Sequence, residues 1–160
     1  MTDILGPVEP GVPQLKGTRT FQAPVALVYR AWTDPELLVQ WLGPRRLKMT
    51  IENYDVRHGG TWRYVHSDDD GNEYGFRGVF HGEPSTESLV QTFEFEGAPG
   101  HVQLDTARFE ALGDTTVVHM NTVFQTVEAR DAMLESGMEG GWTESMERLD
   151  DLLAKMIANG

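Results

Sequence analysis

The stretch Trp32-Thr33-Asp34-Pro35-Glu36, followed by Trp41-Leu42-Gly43-Pro44 and then Asp55-Val56-Arg57-His58-Gly59-Gly60, restricts the fold more than any other part of the chain. It reads as two short helices, a turn, a strand and a glycine corner into the next strand. Pro24 suits a helix start, because its missing N–H would have no partner there in any case. Val25, Val28, Tyr29 and Trp32 follow at helical spacing. Asp34 caps a second helix with Pro35 at its first position. Leu37, Leu38 and Trp41 supply the apolar side, and Gly43-Pro44 ends it. Ahead of both helices, Leu15 to Phe21 is the first strand.

After the corner the period becomes two. Leu47 to Val56 is one strand. Thr61 to His66 places Trp62, Tyr64 and His66 on one face. Asp68 to Asn72 turns the chain. Tyr74, Phe76, Gly78 and Phe80 alternate on the next strand, and 89–96, 102–112 and 115–125 complete a sheet, with Gly113-Asp114 as a short hairpin. The period then changes again. Met138, Trp142, Met146, Leu149, Leu153 and Met156 recur every three or four residues, which predicts a long amphipathic helix. The order predicts a sheet wrapped around one long C-terminal helix, with two short helices after the first strand and apolar space between sheet and helix. Gly137, Gly140 and Gly141, with the loop before them, let that end open as a lid. Residues 1–14, with Pro7, Pro10, Gly11 and Pro13, read as a flexible tail, and 15–158 as a single domain.

The 160 residues carry 25 acidic and 13 basic side chains, a formal net charge of −12. Such a balance repels phosphate backbones and anionic lipid surfaces, so nucleic-acid and membrane-surface partners are not expected. The absence of cysteine rules out disulfides, thiol catalysis and zinc–thiolate sites. Met1 to Gln14 lacks the pattern of a signal peptide, and no window approaches the ~20 apolar residues of a membrane span. The expected location is the cytoplasm.

The aromatic residues Trp41, Trp62, Tyr64, Phe76, Phe93 and Trp142 serve either as core or as the wall of a ligand cavity. Met120, Met138 and Met146 fit the same two uses, since flexible thioethers fill core gaps or adapt to a guest. Arg57 either orients a carboxylate ligand or pins the Gly59-Gly60 corner. His66, on the aromatic face, is the best candidate for a proton donor or base. The five histidines show no metal-ligand spacing. Asp68, Asp70 and Asn72 open like a calcium loop, but glycine comes at the fourth position and Val79 takes the place of the final carboxylate. Glu94, Glu96, Asp105 and Glu110 read as acidic surface. No phosphate loop, dinucleotide fingerprint or nucleophile elbow is present. Open sheet edges leave room for a homodimer.

Taken together, Ala23-Pro24, Val28, Trp32-Thr33-Asp34-Pro35-Glu36, Trp41 with Gly43-Pro44, Asp55, Arg57, Gly59-Gly60, Trp62, Asp70-Gly71, Gly78 with Phe80, Leu89-Val90, Thr115 and Gly141-Trp142 resemble the START-like (SRPBCC) superfamily. Within it the chain is similar to the family related to activators of heat-shock-protein-90 ATPase. Leu42 stands where many relatives carry a second tryptophan. The resemblance implies an α+β helix-grip fold, a curved antiparallel sheet wrapped around the long C-terminal helix, and an elongated apolar cavity; no cofactor or metal is expected. It implies binding of a hydrophobic or amphipathic small molecule, lipid-like or polyketide-like, with the residues named above as its wall. Cyclase, aromatase or hydrolase chemistry on an aromatic substrate, carried by His66, Tyr64 and Arg57, is the alternative, as is co-activation of a chaperone.

Overall fold

The computed structural model describes residues 6–160; the first five residues of the expected tail lie outside the described residues. Strand β1 (Gln14–Phe21) leads into helix α1 (Val25–Thr33) and the single-turn α2 (Pro35–Leu38). Six strands follow: β2 (Lys48–Tyr54), β3 (Thr61–Ser67), β4 (Glu73–His81), β5 (Ser88–Phe95), β6 (Val102–Leu112) and β7 (Thr115–Val123). Helices α3 (Val127–Glu135) and α4 (Met138–Asn159) end the chain. All seven strands form one antiparallel sheet in the order β1-β7-β6-β5-β4-β3-β2. The hairpins from β2 to β7 make a meander, and β1 closes on β7. This is the expected helix-grip α+β arrangement, with α4 packed against the sheet.

Local chemistry accounts for the elements. Asp34 accepts a hydrogen bond from the Glu36 N–H at 3.0 Å, so the cap and Pro35 start α2 together. Trp41 is fully buried and donates its indole N–H to the Ala31 carbonyl at 2.9 Å, which fastens the segment after α2 to α1. Its ring lies 4.9 Å from Trp32, which in turn meets Phe21 and Phe109 edge-on. The helices α1 and α2 thereby plug one end of the sheet with aromatic contacts. On α4, Met146, Leu149, Leu152 and Leu153 form the buried stripe.

One feature differs from expectation. The segment ahead of Gly137 is helix, not loop: Thr126 caps α3 by accepting from the Ala129 N–H at 3.0 Å. Gly137 itself takes the left-handed conformation, φ +82°, between α3 and α4, while Gly140 and Gly141 lie inside the first turn of α4. The described chain ahead of β1 forms no regular element, and buried Arg130 of α3 donates to the carbonyls of Glu9 at 2.7 Å and Val12 at 2.5 Å.

Candidate functional site: the inward face of the sheet

Strand parity builds one continuous aromatic wall. Trp62, Tyr64 and His66 alternate inward on β3, opposite Gly78, Phe76 and Tyr74 of β4. On β5, Phe95 pairs with Phe76, and Phe93 shares its face. Ring centroids lie 5.0 Å apart for Trp62–Tyr64, 5.6 Å for Tyr64–Phe76, 5.3 Å for Phe76–Phe93 and 5.8 Å for Trp62–Phe93. The indole of Trp62 lies flat across Gly78, where an added Cβ would come within 2.6 Å of its Nε1. Trp62 and Tyr64 are buried. Phe76, Phe93 and Phe95 stay only half-buried although they point inward. On the facing layer, Met146 is fully buried and Trp142 half-buried, and on β7 Met120 is half-buried beside Ala107. An inward-facing residue keeps such exposure only if solvent reaches the space between sheet and helix. The helices therefore leave this part of the inward face incompletely covered.

Polar groups on this face are few and poorly satisfied. Trp62 Nε1 and His66 Nδ1 are buried without a hydrogen-bond partner among the described residues. Unmatched buried groups of this kind are uncommon and costly, about 1–3 kcal/mol each. Burial pushes the Tyr64 hydroxyl far above its ordinary range. Burial and the nearby Arg148 guanidinium pull His66 down to about 4, so its imidazole is neutral at physiological pH. The His66 ring packs on Gly43, whose φ is +93° and whose added Cβ would stand 2.5 Å from the ring. Ser145 of α4 accepts from the Gly43 N–H at 2.8 Å, and Arg148 donates to the Gly43 carbonyl at 2.7 Å. These contacts lock α4 to the loop after α2 beside His66.

Asp105 of β6 also points inward, opposite Gln91 of β5 and Thr122 of β7. Its Oδ1 accepts from Thr122 Oγ1 at 2.8 Å and from Gln103 Nε2 at 3.1 Å. Burial raises its pKa to about 6 in spite of those two bonds. The sequence reading assigns Asp105 to the acidic surface, and the structure corrects this. Its parity is that of buried Ala107 and Phe109 on the same strand, a signal the sequence already holds. Glu94 and Glu96 do lie on the outer face, where they pair with Arg77 at 3.1 Å and Arg63 at 2.7 Å.

Among the expected site residues, the fold gathers Trp62, Tyr64, His66, Phe76 and Phe93 on the wall, with Met120, Trp142 and Met146 around the same space. Trp41 instead belongs to the closed aromatic end beneath α1. Met138 is the first residue of α4. Arg57 is not brought to this face. It is exposed at the corner and bonds Asp55 at 2.7 Å, because the short loop places both side chains on the surface. A separate cleft of about 580 Å³ opens at the start of α4, with Pro44, Arg45 and Arg46 on one side and Gly137, Gly140 and Gly141 on the other. Among the described residues no group of three or more His, Asp or Glu side chains is placed to hold a metal ion. No described helix is long and apolar enough to cross a membrane.

The family model for Activator of Hsp90 ATPase homolog 1-like protein matches residues 22–154. The chain belongs to this family, within the SRPBCC (START-like) superfamily. Solved structures of the same fold include a crystal structure of a Rhodobacter sphaeroides protein, 28% identical with a TM-score of 0.85, covering 94% of this chain and 97% of that one. A solution structure of an Arthrobacter aurescens protein is 27% identical with a TM-score of 0.83, covering 90% and 87%. A Nitrosomonas europaea protein is 25% identical with a TM-score of 0.80, covering 94% and 99%. None of the three is described with an activity. A search of curated proteins finds no match.

Proposed function

We propose that the chain binds a hydrophobic or amphipathic small molecule in the groove between the inward sheet face and α4. The observation that carries this reading is the row Phe76, Phe93 and Phe95, aromatic and facing inward yet only half-buried. A folded domain gains nothing from leaving such rings partly uncovered, whereas an apolar guest covers them. Covering 200 Å² of this wall would contribute on the order of 5 kcal/mol before the costs of association. Fatty acids, sterols and aromatic polyketides tested by dye displacement and calorimetry check the reading. Saturable binding that weakens on Phe93→Ala supports it, and no binding by any of the three classes overturns it.

Catalysis is the weaker reading. It draws on two titratable groups, His66 and Asp105, both shifted by burial. They stand three strands apart, on β3 and β6, which is roughly 14 Å at normal strand spacing. No single reacting atom is within reach of both. The activator name of the family raises chaperone co-activation as a further possibility; nothing on the inward face favours it, and a pull-down with an ATPase assay decides it.

A further inference from the structure

Asp105 is a carboxylate without a counter-charge in the middle of the inward face. Both of its hydrogen bonds fall on Oδ1, and no described residue donates to Oδ2. The basic side chains of nearby strands are committed elsewhere or, like Arg108, point outward. Arg19, on the inward face of β1, bonds Asp150 of α4 at 2.5 Å. Arg63 and Arg77 bond Glu96 and Glu94 on the outer face. The next cross-strand row holds Gln103, Phe93 and Gly78, with Trp62 beyond. An unpaired carboxylate oxygen bordered by aromatic rings suits a positive group, which gains from the charge and from the ring faces together.

We infer that the groove selects an organic cation: an ammonium group placed at Asp105 Oδ2, carried on an apolar or aromatic body that lies along the half-buried Phe93 and Phe95. This rests on the groove being a ligand site, as proposed above, and narrows its guest. A guest carboxylate at the same point would face a like charge. The overall charge of −12 adds long-range attraction for cations and repulsion for anions. Burial that raises Asp105 to about 6 is relieved when a cation arrives.

Three probes of one shape test this: naphthylethylamine, naphthylethanol and naphthylacetate, titrated at pH 8 into wild-type protein and Asp105→Asn by calorimetry. The amine is expected to bind wild type about tenfold tighter than the alcohol, with the acetate weakest. In Asp105→Asn, checked for its fold by circular dichroism, the amine and alcohol should bind within about twofold of each other, a change set by the charge term alone. Alcohol or acetate binding wild type as tightly as the amine overturns the inference and leaves the groove reading standing. An amine preference that survives in Asp105→Asn overturns it too. No binding by any probe to wild type overturns the inference, while the groove reading is decided by the fatty-acid, sterol and polyketide panel above. The wild-type ranking decides alone if the variant does not fold.

Discussion

Replacing Asp105 by Asn should make the protein more stable at neutral pH. The side chain keeps its shape, and its Oδ1 still accepts from Thr122 and Gln103. What disappears is a charge that burial opposes. In the folded chain Asp105 titrates at about 6 against an ordinary 3.8. Between those values the native state holds a proton that the unfolded state has released. Wild-type stability therefore falls as pH rises from about 4 to 6, and the full penalty persists above. At 1.36 kcal/mol per pH unit the shift amounts to about 3 kcal/mol. Partial access of water to the groove reduces this to about 2 kcal/mol in practice. Urea unfolding followed by tryptophan fluorescence, on both proteins from pH 4 to 8, reads the difference. The variant should lead by about 2 kcal/mol at pH 7.5, with the gap mostly closed by pH 4. Every other titrating group cancels in that difference. A constant offset across the range, or a wild type that is the more stable at pH 7.5, would refute an inward, desolvated carboxylate.

His66 should act with the opposite sign. Its folded value of about 4 lies below the ordinary 6.5, so the unfolded chain takes up a proton first, and wild type loses about 2–3 kcal/mol as pH falls from 6.5 to 4. His66→Phe should flatten that slope in the same urea series. Gly43→Ala should destabilise by about 2 kcal/mol or more, since it places a Cβ at φ +93° and 2.5 Å from the His66 ring. Calorimetric melting should show a drop of at least about 4 °C. Ser145→Ala leaves the Gly43 N–H without its acceptor and should cost about 1–2 kcal/mol in the same melts.

The fold was legible because its punctuation is chemical. Asp34-Pro35 starts α2, Gly59 and Gly113 take the left-handed corners with φ +78° and +70°, and the period passes from two to nearly four at α4. Helix α3 was not legible. Val127, Ala129, Met133 and Leu134 give it no clean apolar stripe, and only Arg130 is buried, so periodicity has nothing to report. Its cap, Thr126, is the one local sign. Arg57 misleads for another reason. Residue type and a nearby glycine pair are compatible with a ligand contact or a surface ion pair, and the structure forms the ion pair with Asp55, two residues away.

Asp105 and Glu94 show where side-chain chemistry alone fails and geometry decides. Both are carboxylates on adjacent antiparallel strands. Glu94 pairs with Val102 and Arg77, Asp105 with Gln91 and Thr122. Because strand side chains alternate strictly, one residue of register sends Glu94 to its arginine outside and Asp105 to the groove inside. The rule can be applied from the sequence wherever a strand carries an undisputed core residue. On β6 that residue is Phe109, four positions from Asp105, and the continuous pairing of β6 with β7 preserves its parity. It cannot be applied on β2, where the pairing slips between Ile51 and Asn53. A site read from alternation is therefore secure on β6 and insecure on β2. Asp105 belongs to the secure set, and any ligand entering the groove must come to terms with its charge.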